Sequence, residues 1–165
     1  MQQAQGAIDA ARAAGADQYA HEEFAAAVDA LKGAQDAAAD RDYRLALNHA
    51  LDSRERAQNA AKLASDQKAV ARSDARGAVS ALSDALAAAQ KRLKAAEAGR
   101  VGARRLNGPR HAITDAERRL QEARTAFDKG DYQAATAAAS ATTAQLAAAT
   151  RDLEAVTAAP ARRRR

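Results

Sequence analysis

The sequence predicts an all-α protein, an elongated antiparallel helical bundle of about five helices in which two helical hairpins share a long central helix. Three observations support this prediction. Alanine supplies 53 of the 165 residues, and alanine has the highest helix propensity of all residues. Acidic and basic residues nearly balance, at 21 and 26, so the low content of large apolar residues does not indicate disorder. A helical hairpin pattern also occurs twice along the chain.

The repeated pattern is an apolar helical seam followed by an Asp-Tyr pair. The pairs Asp42-Tyr43 and Asp131-Tyr132 lie 89 residues apart. Asp is a favoured helix N-cap, and Tyr can pack its ring across a hairpin while its hydroxyl stays in water. We therefore expect both pairs to be structural turns, with Tyr19 packed in the same way at an earlier turn. The apolar positions of the two copies are Phe24, Ala27, Leu31, Ala34 and Ala38, and Ile113, Ala116, Leu120, Ala123 and Phe127.

The first two predicted helices are short. One is expected over residues 2–14, ending at Gly15, because glycine commonly follows the last residue of a helix. Residues 15–19 are predicted to form a turn. The next helix carries Glu22 and Glu23 in its first turn, where carboxylates interact favourably with the helix dipole.

A single long helix is predicted from Tyr43 to Ala98, because this stretch contains no proline and one glycine. Its 56 residues would span roughly 84 Å at 1.5 Å per residue. The weakest part is Ser65–Gly77, and the sequence leaves open whether the helix continues through Gly77 or breaks there. The predicted seam is Ala46, Leu47, Ala50, Ala57, Ala61, Ala64, Ala71, Ala75, Val79, Leu82, Leu86, Ala89, Leu93 and Ala96.

The C-terminal part is predicted to be a second hairpin that follows a basic, glycine-rich loop at residues 99–109. Pro109 suits the first turn of a helix, so one helix is expected from about residue 110 to 128. Another helix is expected from about residue 131 to 157.

The predicted domain organisation follows from these elements. Residues 1–98 form the N-terminal hairpin and the long helix, and residues 110–158 form the C-terminal hairpin that packs on the long helix. Together they are expected to be one domain. Residues 159–165 are predicted to be a disordered arginine tail.

The positive charge of the chain is concentrated in two segments. Residues 68–110 carry 10 basic and 3 acidic residues, and the last four residues are all arginine. Because the last helix should run back beside the long helix, we expect both segments at one end, with Glu97 as the only acid nearby. We call this end the basic pole. Its predicted members are Lys91, Arg92, Lys94, Arg100, Arg104, Arg105, Arg110, Arg162, Arg163, Arg164 and Arg165.

The basic pole has two interpretations. It could hold phosphate, lipopolysaccharide, teichoic acid or nucleic acid through opposite charge. The alternative is a solvated loop beside an unstructured tail. No aromatic residue lies between Tyr43 and Phe127, so nucleic acid bases would have no stacking platform there.

The sequence lacks the residue patterns of a catalytic, cofactor or metal site. It contains no cysteine, and His21, His49 and His111 show no ligand spacing along a helix. Paired Glu-x-x-His motifs, glycine-rich phosphate loops and nucleophile motifs are also missing. We therefore expect no enzymatic activity, no cofactor, no metal and no small-molecule substrate.

Membrane association is expected only through a lipid anchor that this sequence lacks. No apolar run reaches the length of a membrane span. The first residues, Met1–Gln5, show neither the basic nor the apolar region of a signal peptide.

Residues 10–24 read AARAAGADQYAHEEF, and the turn Asp40-Arg41-Asp42-Tyr43 follows the next helix. Over roughly residues 7–70 this arrangement resembles a family of alanine-rich helical bacterial envelope proteins, usually lipoproteins, catalogued as a domain of unknown function. The chain departs from that family at His21, where proline is frequent, and it lacks the lipobox cysteine. The resemblance implies a periplasmic or outer-membrane-associated location and no enzymatic activity. A cytoplasmic location is the alternative.

Three functional hypotheses remain. The leading one is a non-enzymatic periplasmic or cell-envelope scaffold or protein-interaction module, for which we expect a protein partner or self-association. One alternative is a polyanion-binding protein that holds nucleic acid or lipopolysaccharide at the basic pole. The other is a structural protein that self-assembles through exposed alanine seams.

Overall fold

The computed structural model describes residues 1–158, and 91% of them are helical, with no strand among them. The helices pack as a bundle, which confirms the predicted all-α class. Contacts divide the chain into two compact units within its longest helix: unit 1 is Met1–Val70, and unit 2 begins at Ala71. The described residues form α1 (Gln2–Ala13), α2 (Ala16–Tyr19), α3 (His21–Ala39), α4 (Tyr43–Ala98), α5 (Ala103–Asp128) and α6 (Tyr132–Ala158).

Unit 1 consists of α1, α2, α3 and the part of α4 that ends at Val70. Buried Ile8, Phe24 and Leu31 lie among many buried alanines. The buried Ser53 hydroxyl of α4 donates a hydrogen bond to the carbonyl of Ala27 in α3, at 2.8 Å. This bond gives the hydroxyl a partner inside the unit, where an unpaired polar group would be costly.

The corner between α1 and α3 depends on Gly15, which ends α1 in the left-handed conformation at φ 87°. The predicted turn at residues 15–19 contains the one-turn helix α2. Tyr19 is packed at this corner, as the sequence predicts, but its hydroxyl is buried rather than in water. The Arg12 guanidinium lies over the Phe24 ring at 5.6 Å, so α1 and α3 also meet through a cation–π contact.

Both Asp-Tyr pairs begin a helix with an aspartate cap. The Asp42 carboxylate accepts a hydrogen bond from the backbone N–H of Leu45 at 2.9 Å. The Asp131 carboxylate accepts one from the N–H of Ala134 at 3.1 Å. The predicted capping role of Asp42 and Asp131 is confirmed, because each satisfies a backbone donor that the helix itself leaves free.

The two tyrosines of these pairs differ in their environment. Tyr132 packs against Phe127 with ring centroids 5.3 Å apart. Tyr43 is 71% exposed, so the prediction that it packs across its hairpin is wrong. The cause lies in the repeat itself, since the position of Phe127 is occupied in the first copy by Ala38, which offers no ring.

The residue before each capping aspartate has a left-handed backbone. It is Gly130 at φ 83° in the second copy and Arg41 at φ 63° in the first. In the first copy the N–H of Asp42 bonds to the carbonyl of Ala37, and the N–H of Arg41 bonds to that of Ala38. This pair of bonds is the Schellman helix end, which normally places glycine at the left-handed position.

The helix α4 continues without a break through Gly77. Leu47 is 59% exposed, so its assignment to the seam is wrong. Residues 65–70 are all exposed, and full burial resumes at Ala75. The buried positions of α4 are Ala46, Ala50, Ser53, Ala57, Ala60, Ala64, Ala75, Leu82, Leu86, Ala89 and Ala96.

Unit 2 consists of α4 from Ala71 onward, α5 and α6. The Gln90 amide donates to Glu117 at 2.7 Å, and Arg110 pairs with Glu97 at 2.8 Å. Since a later residue of α4 meets an earlier residue of α5, these two helices are antiparallel. The main core of the unit contains Leu82, Leu86, Ala89, Ile113, Ala116, Leu120, Ala123, Ala139 and Leu146.

The C-terminal end of α6 returns to the end of α4, as the sequence predicts. Buried Leu153 of α6 packs with Ala96 of α4 and Leu106 of α5 in a second core cluster. Val101, in the connection between α4 and α5, packs against the same cluster. The last turns of α4, the start of α5 and the end of α6 therefore share one end of unit 2.

The predicted loop at residues 99–109 is too long. The helix α5 begins at Ala103 and contains Pro109 in its interior. The Asn-Gly-Pro stretch favours a turn by local preference, but burial of Leu106 in the second core cluster stabilises helix there. Pro109 lacks the N–H that would bond to the carbonyl four residues earlier, so this first part of α5 has fewer helical bonds.

Replacing Arg41 by glycine should stabilise the protein by about 1 kcal/mol, because the left-handed backbone is costly for a residue with a Cβ atom. Urea denaturation followed by circular dichroism measures the change. The control is Arg41→Ala, which removes the same charge but keeps a Cβ atom. Equal stabilisation by both substitutions would mean that charge, rather than backbone conformation, is responsible.

The substitution Gly77→Ala should raise stability by about 0.5–1 kcal/mol, because alanine loses less conformational freedom in a helix interior. A Cβ atom at Gly77 would meet no other atom within 4 Å, so no steric cost opposes the gain. Slower amide hydrogen exchange around Gly77 would report the effect locally. Unchanged or faster exchange would show that α4 is not a regular helix at this point.

Candidate polyanion-binding site

The described members of the basic pole lie at the shared end of unit 2, and every one of them is exposed. The predicted members Arg162–Arg165 lie outside the described residues. Three structural elements supply the described members. The helix α4 supplies Lys91, Arg92 and Lys94, the connection supplies Arg100, and α5 supplies Arg104, Arg105 and Arg110.

Two of these cations are neutralised by carboxylates. Arg110 pairs with Glu97 at 2.8 Å, and Arg92 pairs with Glu154 of α6 at 3.0 Å. The expectation that Glu97 is the only acid nearby is therefore wrong. The same return of α6 that was expected to bring the arginine tail to the pole also brings Glu154 there.

Five cations of the pole have no ion pair with any residue in the range 1–158. We call them the unpaired cations: Lys91, Lys94, Arg100, Arg104 and Arg105. The middle of α5 shows the contrast. There Arg118 donates hydrogen bonds to both Asp115 and Glu122, and the bond that it donates to Asp115 is the main cause that raises the pKa of this guanidinium.

Backbone dipoles at the pole act in two directions. The end of α4 presents carbonyl groups, which favour nearby cations such as Lys94. At the start of α5 no side chain caps the backbone N–H groups, although the N–H of Arg105 bonds to the carbonyl of Gly102. Arg104 and Arg105 follow directly after the first residue of α5, with no acidic residue in that turn. Two cations at a helix N-terminus oppose the dipole. An anion bound there would interact favourably with both the arginines and the N–H groups.

Arg100 occupies an unusual backbone position within the pole. Its φ is 57°, in the left-handed region. The N–H of Val101 bonds to the carbonyl of Ala96, and the N–H of Arg100 bonds to the backbone carbonyl of Glu97. This pair of bonds is again the Schellman helix end. Arg100 thus ends α4 where glycine would be more stable.

A further cation near the pole was not predicted. Arg151 of α6 is exposed and lines a shallow groove between α4 and α6, together with Arg92 and Ala88. The signal that could have found it is the spacing along α6, because Arg151 lies one turn before Glu154, which reaches Arg92. Arg151 places one cation on the third helix of the unit, where the exposed acids Asp152 and Glu154 are its neighbours along α6.

An apolar cleft opens at the same end of unit 2. Its volume is about 350 Å³. We call it the pole cleft. No sequence pattern predicts it, because its walls come from the end of α4 with the connection that follows and from α6, about fifty residues later. It is lined by Arg92, Ala95, Ala96, Gly99, Val101, Leu153, Glu154 and Thr157.

The histidines are not brought together with other ligand-type residues. His49 packs its ring against Gly33, and His21 and His111 are exposed in different units. Among residues 1–158 no group of three or more His, Asp or Glu side chains is arranged to hold a metal ion. No described helix combines the length and the apolar character needed to cross a membrane.

Unit 1 carries a different surface feature at the start of α4. Tyr43, Leu47 and Leu51 are exposed and recur every four residues, so they lie along one side of the helix. We call these three residues the apolar stripe. Leu47 and Leu51 also line a groove of about 440 Å³ beside Met1 of the N-terminus. Three neighbouring large apolar side chains in water form a candidate contact surface.

Comparison with known proteins gives no match among protein-family models, curated proteins or solved structures. The arrangement of charges and apolar surfaces is therefore the basis of the functional proposal.

Proposed function

We propose that this protein is a non-enzymatic helical binding module that holds the phosphate groups of a polyanion at the basic pole. The observation that supports the proposal is the set of five unpaired cations. Arginines such as Arg56 and Arg118 form ion pairs elsewhere in the described chain. Other exposed cations of the described chain also have no ion pair, but the unpaired cations differ because all five lie between residues 91 and 105, at one end of unit 2.

The charge balance at the pole favours an anionic ligand. Seven basic residues between Lys91 and Arg110 face two carboxylates, those of Glu97 and Glu154. Like charges at close range repel one another, and a bound polyanion relieves this repulsion while releasing its own counterions. The free N–H groups at the start of α5 add to the attraction.

We propose a periplasmic or outer-membrane-associated location, which is supported by the resemblance of residues 7–70 to bacterial envelope proteins. Lipopolysaccharide or teichoic acid would supply the phosphate groups there. In a cytoplasmic location, the alternative, nucleic acid would be the polyanion.

Substitution of three unpaired cations should weaken polyanion binding. The variant Arg100→Gln, Arg104→Gln, Arg105→Gln is expected to bind fluorescently labelled polyphosphate at least about tenfold more weakly at low salt. The slope of log affinity against log salt should also fall by about two to three, since up to three phosphate contacts are lost. Fluorescence anisotropy over a salt series measures both quantities.

The matched control removes the same charge from the other end of unit 2. It is Arg76→Gln, Arg124→Gln, Lys129→Gln, whose positions are exposed and have no ion pair with the described residues. This control should keep most of the affinity. Equal loss in both triple variants would show that net charge alone attracts the polyanion, and the basic pole would then not be a site.

The apolar stripe supports a second candidate function, a protein-interaction module acting through unit 1. Its side chains gain free energy when a partner surface removes them from water, at about 25 cal/mol for each Å² of apolar area. The two functions use different surfaces, so they are compatible within one chain. A second copy of this chain is the simplest partner. This mode of self-association differs from the self-assembly hypothesis, which used exposed alanine seams rather than leucine and tyrosine side chains.

The double variant Leu47→Gln, Leu51→Gln should reduce self-association, measured by sedimentation equilibrium over a range of protein concentrations. The matched control is Leu63→Gln, Val70→Gln, because these residues are also exposed apolar positions of α4 but lie on a different face of the helix. A monomeric wild-type protein at all concentrations would exclude self-association through the apolar stripe.

A further inference from the structure

The pole cleft adds an apolar surface to a site that is otherwise defined by charge. Leu153, Ala96 and Leu106 form the buried cluster beneath it, and Val101 and Leu153 are among its walls. The residue between Gly99 and Val101, which both line the cleft, is the unpaired cation Arg100. The pole cleft and an unpaired cation are thus adjacent along the chain.

The one carboxylate at the cleft does not oppose an anion. Glu154 lines the cleft but pairs with Arg92 at 3.0 Å, and Arg92 lines the cleft as well. The pair leaves no net charge in the wall. The net positive charge of the surroundings comes from the unpaired cations.

Resting on the proposed function, we propose that the polyanion is an amphiphile: its phosphate head lies on the unpaired cations and its alkyl chain occupies the pole cleft. The charge of the head matches Arg100 and its neighbours, and the chain matches the apolar walls. The cleft has a volume of about 350 Å³ and is partly open to solvent, so an alkyl chain can lie along its apolar wall while the head stays outside. Nucleic acid has no alkyl chain for the cleft, and no aromatic residue between Tyr43 and Phe127 offers a stacking surface.

The test compares butyl, hexyl, octyl and decyl phosphate with inorganic phosphate by isothermal titration calorimetry, below the concentrations at which micelles form. Affinity should rise by about two- to fourfold for each added methylene group, because each buried methylene contributes to apolar transfer. Octyltrimethylammonium, with the same chain and a positive head, should bind far more weakly. Equal affinity for all chain lengths, or equal binding of the cationic amphiphile, would overturn the proposal.

A variant of the cleft separates the alkyl chain from the head. Ala95 is exposed and lines the cleft, so Ala95→Phe should fill the space without disturbing the core. It should abolish the dependence on chain length and leave polyphosphate binding unchanged. The matched control is Ala98→Phe, at an exposed position of α4 that does not line the cleft. The same loss in both variants would contradict a role for the cleft.

The two proposals can fail separately. If polyphosphate binds through the unpaired cations but alkyl phosphates show no dependence on chain length, the amphiphile proposal is wrong and the proposed function stands. Binding of a DNA duplex with the same affinity in wild type and Ala95→Phe would then identify a bare polyanion as the ligand. If the triple variant of the unpaired cations binds polyphosphate as wild type does, the proposed function itself is wrong.

Discussion

Close contact between alanine-lined helix faces is the interaction on which the rest of the structure depends. Of the 30 buried apolar residues in the described chain, 19 are alanine. A buried alanine removes little area from water, but it loses no side-chain entropy and lets two helices approach closely. A larger side chain at such a position would overpack the contact, at a cost of about 1–3 kcal/mol. The few large residues, such as Leu82 and Leu146, fill the spaces that remain.

Regular spacing within each unit made much of the fold predictable. The buried residues of α4 in unit 1 are spaced alternately four and three residues apart from Ala46 to Ala64, a spacing typical of left-handed coiled coils. The bounds of α4 could be predicted for the same reason, because capping by Asp42 and the glycine after Ala98 mark its ends. The assignment of Leu47 to the seam failed because alanine and leucine next to each other give no basis for choosing between neighbouring faces.

Tertiary packing explains the other errors. The start of α5 could not be predicted from local preference, because burial of Leu106 against Leu153 overcomes the turn tendency of Asn-Gly-Pro. The basic pole could be predicted as a group of cations, since hairpin geometry brings the two helix ends together. The sequence does not show which of those cations are unpaired, because Glu154, the partner of Arg92, lies more than sixty residues away along the chain. The pole cleft has no signature in the sequence for the same reason.

The fully exposed residues 65–70 of α4 have an evolutionary consequence. A helix turn whose side chains all face water contributes nothing to either hydrophobic core. Substitutions at these residues therefore remove no core contact in unit 1 or unit 2. Only helix propensity limits the choice of residue there, which disfavours proline and glycine. Descendants of this protein can thus vary in sequence at this turn, while each unit keeps its own sequence constraints.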